Sequence, residues 1–297
     1  MKTWLQELPQ NEVAVIVNER AGIGIDGELL AAHVARLTEI TGGCVCCSSQ
    51  AELMTALREL SSGPAPPRRI LIETSGAASP AGVVRGVTAL RDKRPLRLDG
   101  VVTVIDIARA RAALEFDLTV EQLGFADVVV LSHMDTMEAQ ASAAEVEQMR
   151  TELQRYAPAA VFAAAYRGTI GQSLMSLLEA RAEVLAVPSL ESGHSPIEAV
   201  ALSSDGELDE DRFIHWVETA VADVEARILR VKGIVAIQGV DARVVLQGVS
   251  QAVEVELGRV WGSSERTSRV VILGLGLDAA ALEAGFLRSA YKKAPPR

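Results

Sequence analysis

Short, continuously apolar runs recur along the first part of the chain, each followed by polar or glycine-containing residues. Residues 13–17 (Val-Ala-Val-Ile-Val) are apolar throughout, as a strand covered on both faces must be. The pattern returns at 69–72 (Arg-Ile-Leu-Ile), 100–105 (Gly-Val-Val-Thr-Val-Ile) and 127–131 (Asp-Val-Val-Val-Leu). Helical stretches separate the runs. In one of them, residues 50–60, Leu53, Ala56, Leu57 and Leu60 fall at helical spacing before a Ser-Gly-Pro-Ala-Pro-Pro stop. This alternation predicts an α/β fold, a doubly wound and mostly parallel sheet with right-handed crossovers. Ligands bind such sheets at the carboxyl ends of the strands. The second run empties into Glu73-Thr74-Ser75-Gly76, the third into Asp106 and the fourth into Ser132-His133-Met134-Asp135.

The pattern changes past residue 184, where Val-Pro-Ser-Leu-Glu-Ser-Gly-His-Ser-Pro reads as a linker. Two domains are expected, residues 1–188 and residues 189–297. In the second, residues 197–202 alternate as a strand, and residues 209–226 carry Phe213, Val217, Ala220, Val221 and Val224 on one helical face. Strand-like runs follow at Ala226–Val231, Ala242–Val249 and Arg269–Leu273, so a small α+β domain is expected.

Composition narrows the function classes. Of 297 residues, 49% are hydrophobic and 23% charged, enough for a sizeable core, and with 4% aromatics that core is Val, Leu, Ile and Ala. The formal net charge is -10, with no long basic cluster, which argues against a nucleic-acid partner. No run approaches the ~18 uncharged apolar residues of a membrane span, and the expected setting is a reducing, cytoplasmic compartment with no membrane partner.

The three cysteines change the picture most. Cys44, Cys46 and Cys47 are the whole cysteine content, set in Thr-Gly-Gly-Cys-Val-Cys-Cys at residues 41–47. An odd number of near-adjacent thiols cannot make a disulfide framework. On a glycine turn they can face one soft cation, and sulfur-bound Zn²⁺ takes four ligands, so one position stays open for transfer or sensing. The alternative is that some of them are small buried hydrophobes. Between the first strand and this turn, Glu19 and Asp26 flank a glycine-rich loop before a helix expected to begin near Gly27.

Taken together, Val-Ile-Val-Asn-Glu, Gly-Gly-Cys-Val-Cys-Cys, Glu-Thr-Ser-Gly and Gln122–Asp135 resemble the CobW-type GTPases, relatives of the nickel-inserting GTPases HypB and UreG. The likeness continues through Ile228–Gly233, Leu246–Val249 and Ser268–Gly274 and covers nearly the whole chain. It implies a P-loop GTPase-like first domain. It also implies that Cys44, Cys46 and Cys47 bind a divalent metal, Zn²⁺ or Co²⁺, in a nucleotide-dependent way, with Glu19 as an outer ligand. Glu73 takes the Walker B part beside Mg²⁺, and Gly76 follows the γ-phosphate. Ser132-His133-Met134-Asp135 stands where the family has Asn-Lys-x-Asp: Asp135 accepts from the N1 and N2 groups of guanine, His133 lies against the purine, and Ser132 supports the loop.

Met1-Lys2-Thr3-Trp4-Leu5 aligns with the end of the family's phosphate-binding loop. Lys2 would pair with the β- and γ-phosphates and Thr3 would hold Mg²⁺, while the glycines that cradle phosphate would precede Met1 in a longer native chain. The function implied is a GTP-binding, GTP-hydrolysing metal chaperone. Its partners would be a client metalloprotein or a cofactor-biosynthesis enzyme, and a second copy of the chain is a further candidate. Two rival readings stand beside it: a nucleotide-incompetent, metal-binding adaptor, and an ATPase or kinase on the same sheet. Where many relatives carry a histidine-rich linker this chain has only His194, so metal storage is not expected.

Overall fold

The computed structural model describes residues 2–5, 8–9, 12–18, 36–40, 49–62, 65–76, 78–91, 96–138, 142–180, 197–222, 227–249 and 252–291. Glu19, Asp26, the helix expected near Gly27, the cysteine turn and the linker with His194 lie outside them, as do the side chains of Lys2 and Thr3. The chain divides into two compact units, Met1–Val184 and Leu185–Arg297.

The first unit opens with α1 (Lys2–Leu5), β1 (Val13–Asn18), β2 (Arg36–Ile40), α2 (Ser49–Ser62), β3 (Arg69–Glu73) and α3 (Pro80–Arg91). It continues through β4 (Val102–Asp106), α4 (Ala110–Ala113), α5 (Asp117–Phe125), β5 (Val128–Ser132), α6 (Met134–Glu138), α7 (Ala143–Gln154), β6 (Val161–Tyr166), β7 (Thr169–Ile170) and α8 (Leu174–Ala180). The four apolar runs are therefore β1, β3, β4 and β5, in an α/β arrangement. Three strands escape the hydrophobic pattern: β2, Arg-Leu-Thr-Glu-Ile, is largely polar, β6 is half alanine, and β7 has only two residues.

The strands pair in two groups, ordered β2-β1-β3 and β4-β5-β6-β7. Every pair is parallel except β6 with β7. Residues 13–17 of β1 and 128–131 of β5 are buried, whereas β3 is only half-buried and Val104 on β4 is 57% exposed. Among the described residues β3 and β4 each have a strand on one edge only. α1 touches both groups: Leu5 is buried against Val13, Val15 and Val17, while Trp4 packs with Val128, Val130 and Ala165.

The second unit comprises β8 (Glu198–Asp205), α9 (Glu210–Ala222), β9 (Arg227–Val235), β10 (Ala242–Val249), β11 (Ala252–Val260), β12 (Thr267–Leu275) and α10 (Ala279–Arg288). They form one antiparallel sheet ordered β11-β10-β9-β12-β8. Its core holds Val231, Val244, Leu246, Val270 and Ile272 together with Phe213, Trp216 and Phe286. The three aromatic rings meet at centroid distances of 5.2–6.4 Å, so this core is pinned by a compact aromatic cluster.

Gly285 on α10 is essential to that packing. A Cβ there would lie 2.5 Å from Trp216 Cδ1 and 2.8 Å from its Nε1, and the indole is held by donation from Nε1 to Leu282 O at 3.2 Å. Gly→Ala inside a helix ordinarily stabilises by about 0.5–1 kcal/mol, but overpacking a rigid ring costs about 1–3 kcal/mol. Gly285→Ala is therefore expected to lower the denaturation midpoint. An unchanged or raised midpoint would overturn this account of the packing.

Candidate nucleotide and metal site

Parallel pairing sends the carboxyl ends of β1, β2 and β3 to one edge. In register, Asn18 stands beside Ile40 and Val17 beside Glu73. Ile40 and Glu73 are two strands apart, roughly 10 Å at the usual spacing. The connection that leaves Ile40 and returns at Ser49 carries Cys44, Cys46 and Cys47, and the same edge sends β1 on toward Glu19. Among the described residues no group of three or more His, Cys, Asp or Glu could hold a metal ion.

Beyond Glu73 the chain turns tightly, the Ala78 amide donating to Ser75 O at 2.9 Å. Gly76 is exposed in this turn, a Cβ there would meet nothing within 4 Å, and its φ lies outside the left-handed region. The turn is gripped from α5. Gln122 Nε2 donates to Gly76 O at 3.1 Å and Ala78 O at 3.0 Å, and Ser79 Oγ donates to Glu121 Oε1 at 2.8 Å. Ser79 Oγ also accepts from the Ala81 amide at 3.2 Å in the first turn of α3.

The second group of strands builds another edge. Asp106 at the end of β4 stands beside Ser132 at the end of β5. Ser132 Oγ donates to Ile105 O at 3.1 Å, so the short side chain ties the loop back to the neighbouring strand. His133 follows with φ 59°, an uncommon conformation for any side chain but glycine. Its Nδ1 lies 3.3 Å from Ser132 Oγ and 3.5 Å from Asp106 Oδ2. Met134 is buried and anchors α6, which presents Asp135 in its first turn. Asp135 Oδ1 accepts from the Arg167 amide at 3.2 Å, and Arg167 Nε lies 4.0 Å from Oδ2.

Arg167 also has a positive φ, 49°, and among the described residues only it and His133 do so without being glycine. Both flank Asp135, at the ends of adjacent parallel strands. Such strained positions persist where the surroundings over-determine them and cluster at ligand sites. A carboxylate has about four lone-pair sites, so the Arg167 amide leaves Asp135 able to accept from a bound base.

The matches to known proteins follow the same division. The CobW/HypB/UreG nucleotide-binding domain profile matches residues 1–161, and that of the cobalamin synthesis protein cobW C-terminal domain matches residues 197–290. The chain belongs to the CobW/HypB/UreG family. The zinc chaperone CobW of Pseudomonas aeruginosa is 31% identical, with 98% of this chain and 87% of that protein covered. The zinc chaperone YjiA of Escherichia coli is 26% identical, covering 95% and 91% respectively. The crystal structure of Zn(II)-bound YjiA GTPase from E. coli superposes with a TM-score of 0.66 at 18% identity, covering 94% of this chain and 99% of that one. That is a likeness of fold.

In this CobW-family chain the sequence pattern leads to Glu73, Gly76, Ser132, His133 and Asp135, but not to Gln122 or Arg167 as their partners. Gln122 carries no charge and no periodic signal. Arg167 precedes Gly168 at a strand-to-strand turn, which is a recognisable signal once β6 is known. Asp127, read as the first residue of a strand, is fully buried with its carboxylate accepting from the Val101 amide at 2.8 Å; it staples the start of β4 to that of β5. Among the described residues no helix is long and apolar enough to cross a membrane.

Proposed function

We propose that this CobW-family chain is a GTP-dependent metal chaperone that holds and releases Zn²⁺ for a client metalloprotein or a cofactor-biosynthesis enzyme. Two zinc chaperones are among its relatives. The observation that carries the reading is the shared edge. The connection bearing three thiols leaves the sheet at Ile40, two strands from Glu73, so a nucleotide bound at Glu73 would lie at the strand edge from which that connection departs. A γ-phosphate that orders such loops would gather the thiolates, and hydrolysis would loosen them.

The donor chemistry fits each group. Three thiolates suit Zn²⁺, with Co²⁺ as the alternative cargo. The Thr3 hydroxyl and the Glu73 carboxylate are the hard oxygen donors that Mg²⁺ requires, and Mg²⁺ when bound supplies neutralisation of phosphate charge. Lys2 would pair with the β- and γ-phosphates, Glu73 would orient water around the ion, and the Gly76 amide would face the terminal phosphate. Such catalysis rests on positioning and electrostatics. At the base, Asp135 supplies two acceptors for guanine N1 and N2, with Arg167 and Ser132 holding the loops and the His133 ring on the purine face.

The decisive experiment is a zinc titration with and without a non-hydrolysable GTP analogue. Tighter zinc binding with the analogue is expected. Equal affinities with nucleotide bound would refute the coupling, and no nucleotide binding at all would favour the metal-binding adaptor instead.

Asp135→Asn provides a separate check. An amide offers one donor and one acceptor, so guanine loses a charge-assisted hydrogen bond and meets a repulsive N–H pair. GTP affinity should fall about 10- to 100-fold, while xanthosine triphosphate, with a carbonyl in place of the 2-amino group, should gain. Unchanged GTP binding, measured by fluorescence titration, would remove Asp135 from the base site.

A further inference from the structure

The grip of α5 on the turn after Glu73 has a function of its own. Resting on the nucleotide reading above, we infer that Gln122 is a positioning residue: it fixes the Gly76 turn for the nucleotide's terminal phosphate and ties that turn to the strands that carry the base loop.

The geometry is specific. Both protons of the Gln122 carboxamide are spent on carbonyls two residues apart, Gly76 O and Ala78 O. Only the NH₂ end of the amide can donate to carbonyls, so the orientation of the side chain follows from its acceptors. The backbone of Gln122 is held in turn, Thr103 Oγ1 on β4 donating to Gln122 O at 2.9 Å. The next residue, Leu123, is fully buried in the core that includes Ile105, Val129 and Leu131 of β4 and β5. Thus a turn at the end of β3 is bonded to a helix seated on the other group of strands, across 44–46 residues of sequence.

The direction of the Gly76 amide follows from the same bonds. Ser75 O accepts from the Ala78 amide inside the turn. In a planar trans peptide the N–H points opposite to the preceding carbonyl, so the Gly76 N–H points away from the turn. With Gly76 O held by Gln122, the peptides on both sides of Gly76 are oriented, and the amide is a preset donor for an anion arriving at this edge. A donor set in place beforehand costs no reorganisation when the phosphate charge develops. Glu121 reinforces the arrangement through Ser79, so two consecutive residues of α5 fasten the segment at Gly76, Ala78 and Ser79.

This role makes a prediction that a merely structural bond does not. Losing a structural bond lowers stability and affects every nucleotide alike. Losing a positioning bond changes the preference for triphosphate over diphosphate. In the full chain, Gln122→Ala should leave GDP affinity within about threefold of wild type while affinity for a non-hydrolysable GTP analogue, and the turnover number, fall about tenfold or more. Gln122→Glu, which keeps the shape but has no donor when ionised, should behave as Gln122→Ala does. Melting temperatures measured alongside separate stability from preference.

If wild type binds both nucleotides and the variants keep its GDP-to-triphosphate ratio, the inference fails and the nucleotide reading stands. If Gln122→Glu matches wild type, shape rather than donation matters, and the inference also fails. If wild type binds neither nucleotide, the nucleotide reading fails and the inference with it.

Discussion

Replacing Cys46 and Cys47 together by serine is expected to lower the affinity for zinc by more than about 100-fold, with Cys44→Ser alone giving a smaller loss in the same direction. The magnitude follows from ligand chemistry. Disturbing only the partners that orient a ligand costs about 10- to 100-fold, and if the thiolates hold zinc as proposed, the double substitution removes two ligands outright. A serine hydroxyl is neither soft nor ionised at neutral pH, so it cannot replace a thiolate. Cys44, Cys46 and Cys47 are the only cysteines in the chain, so no other thiol can compensate. Competition against a chromophoric zinc chelator would measure the change, and circular dichroism of the metal-free proteins should match wild type. Undiminished affinity in the double variant would show that zinc is held elsewhere, by carboxylates or histidines. Because metal binding to thiols releases protons, wild-type zinc affinity should also rise with pH, and that dependence should flatten in the variant.

The second large effect is expected at Gly76. Gly76→Ala should leave the fold intact, because a Cβ at this position meets nothing within 4 Å and the backbone is not in the left-handed region. Glycine to alanine under those conditions is neutral or stabilises by up to about 1 kcal/mol through the unfolded chain. GTP hydrolysis should nonetheless fall about 100-fold, the scale of losing one oriented donor at a developing charge. A methyl group at an exposed turn is harmless until something must approach the backbone closely, and a terminal phosphate would have to. Turnover measured beside a melting curve distinguishes the possibilities. Unchanged turnover would remove Gly76 from the phosphate site, whereas a lowered melting temperature would make its role structural.

The two effects test opposite ends of one edge. Loss of zinc with hydrolysis preserved, and loss of hydrolysis with nucleotide-free zinc binding preserved, would together mean two sites joined through the connection from Ile40 to Ser49. If either variant abolished both activities while the fold stayed intact, the sites would be one.

Much of this was legible in the residues themselves. Val-Ala-Val-Ile-Val at 13–17 and Val-Val-Val-Leu at 128–131 are strands because nothing in them tolerates water, and an apolar run that short is satisfied only with both faces covered. Three thiols within four positions supply the soft donors that the proposed zinc site needs, and they can be read from the sequence before any fold is known. Phe213 is visible on a helical face, and Trp216 three residues on completes the aromatic cluster. The strand β11 is absent from the expected elements although Val-Glu-Val-Glu-Leu alternates at strand period; it is an outer strand on which the apolar Val255 and Leu257 are exposed rather than buried.

The sequence by itself determined the α/β character of the first unit, the α+β character of the second, and the carboxylates available at or just beyond strand ends: Glu73, Asp106 and Asp135. The tertiary structure alone decided who meets whom. Gln122 reaches Gly76 and Ala78, Arg167 binds Asp135 from 32 residues away, and Ile40 stands two strands from Glu73. Apolar periodicity is a local property, set by which side of an element faces water. A hydrogen bond between distant residues depends on strand order and register, which are properties of the whole packed chain.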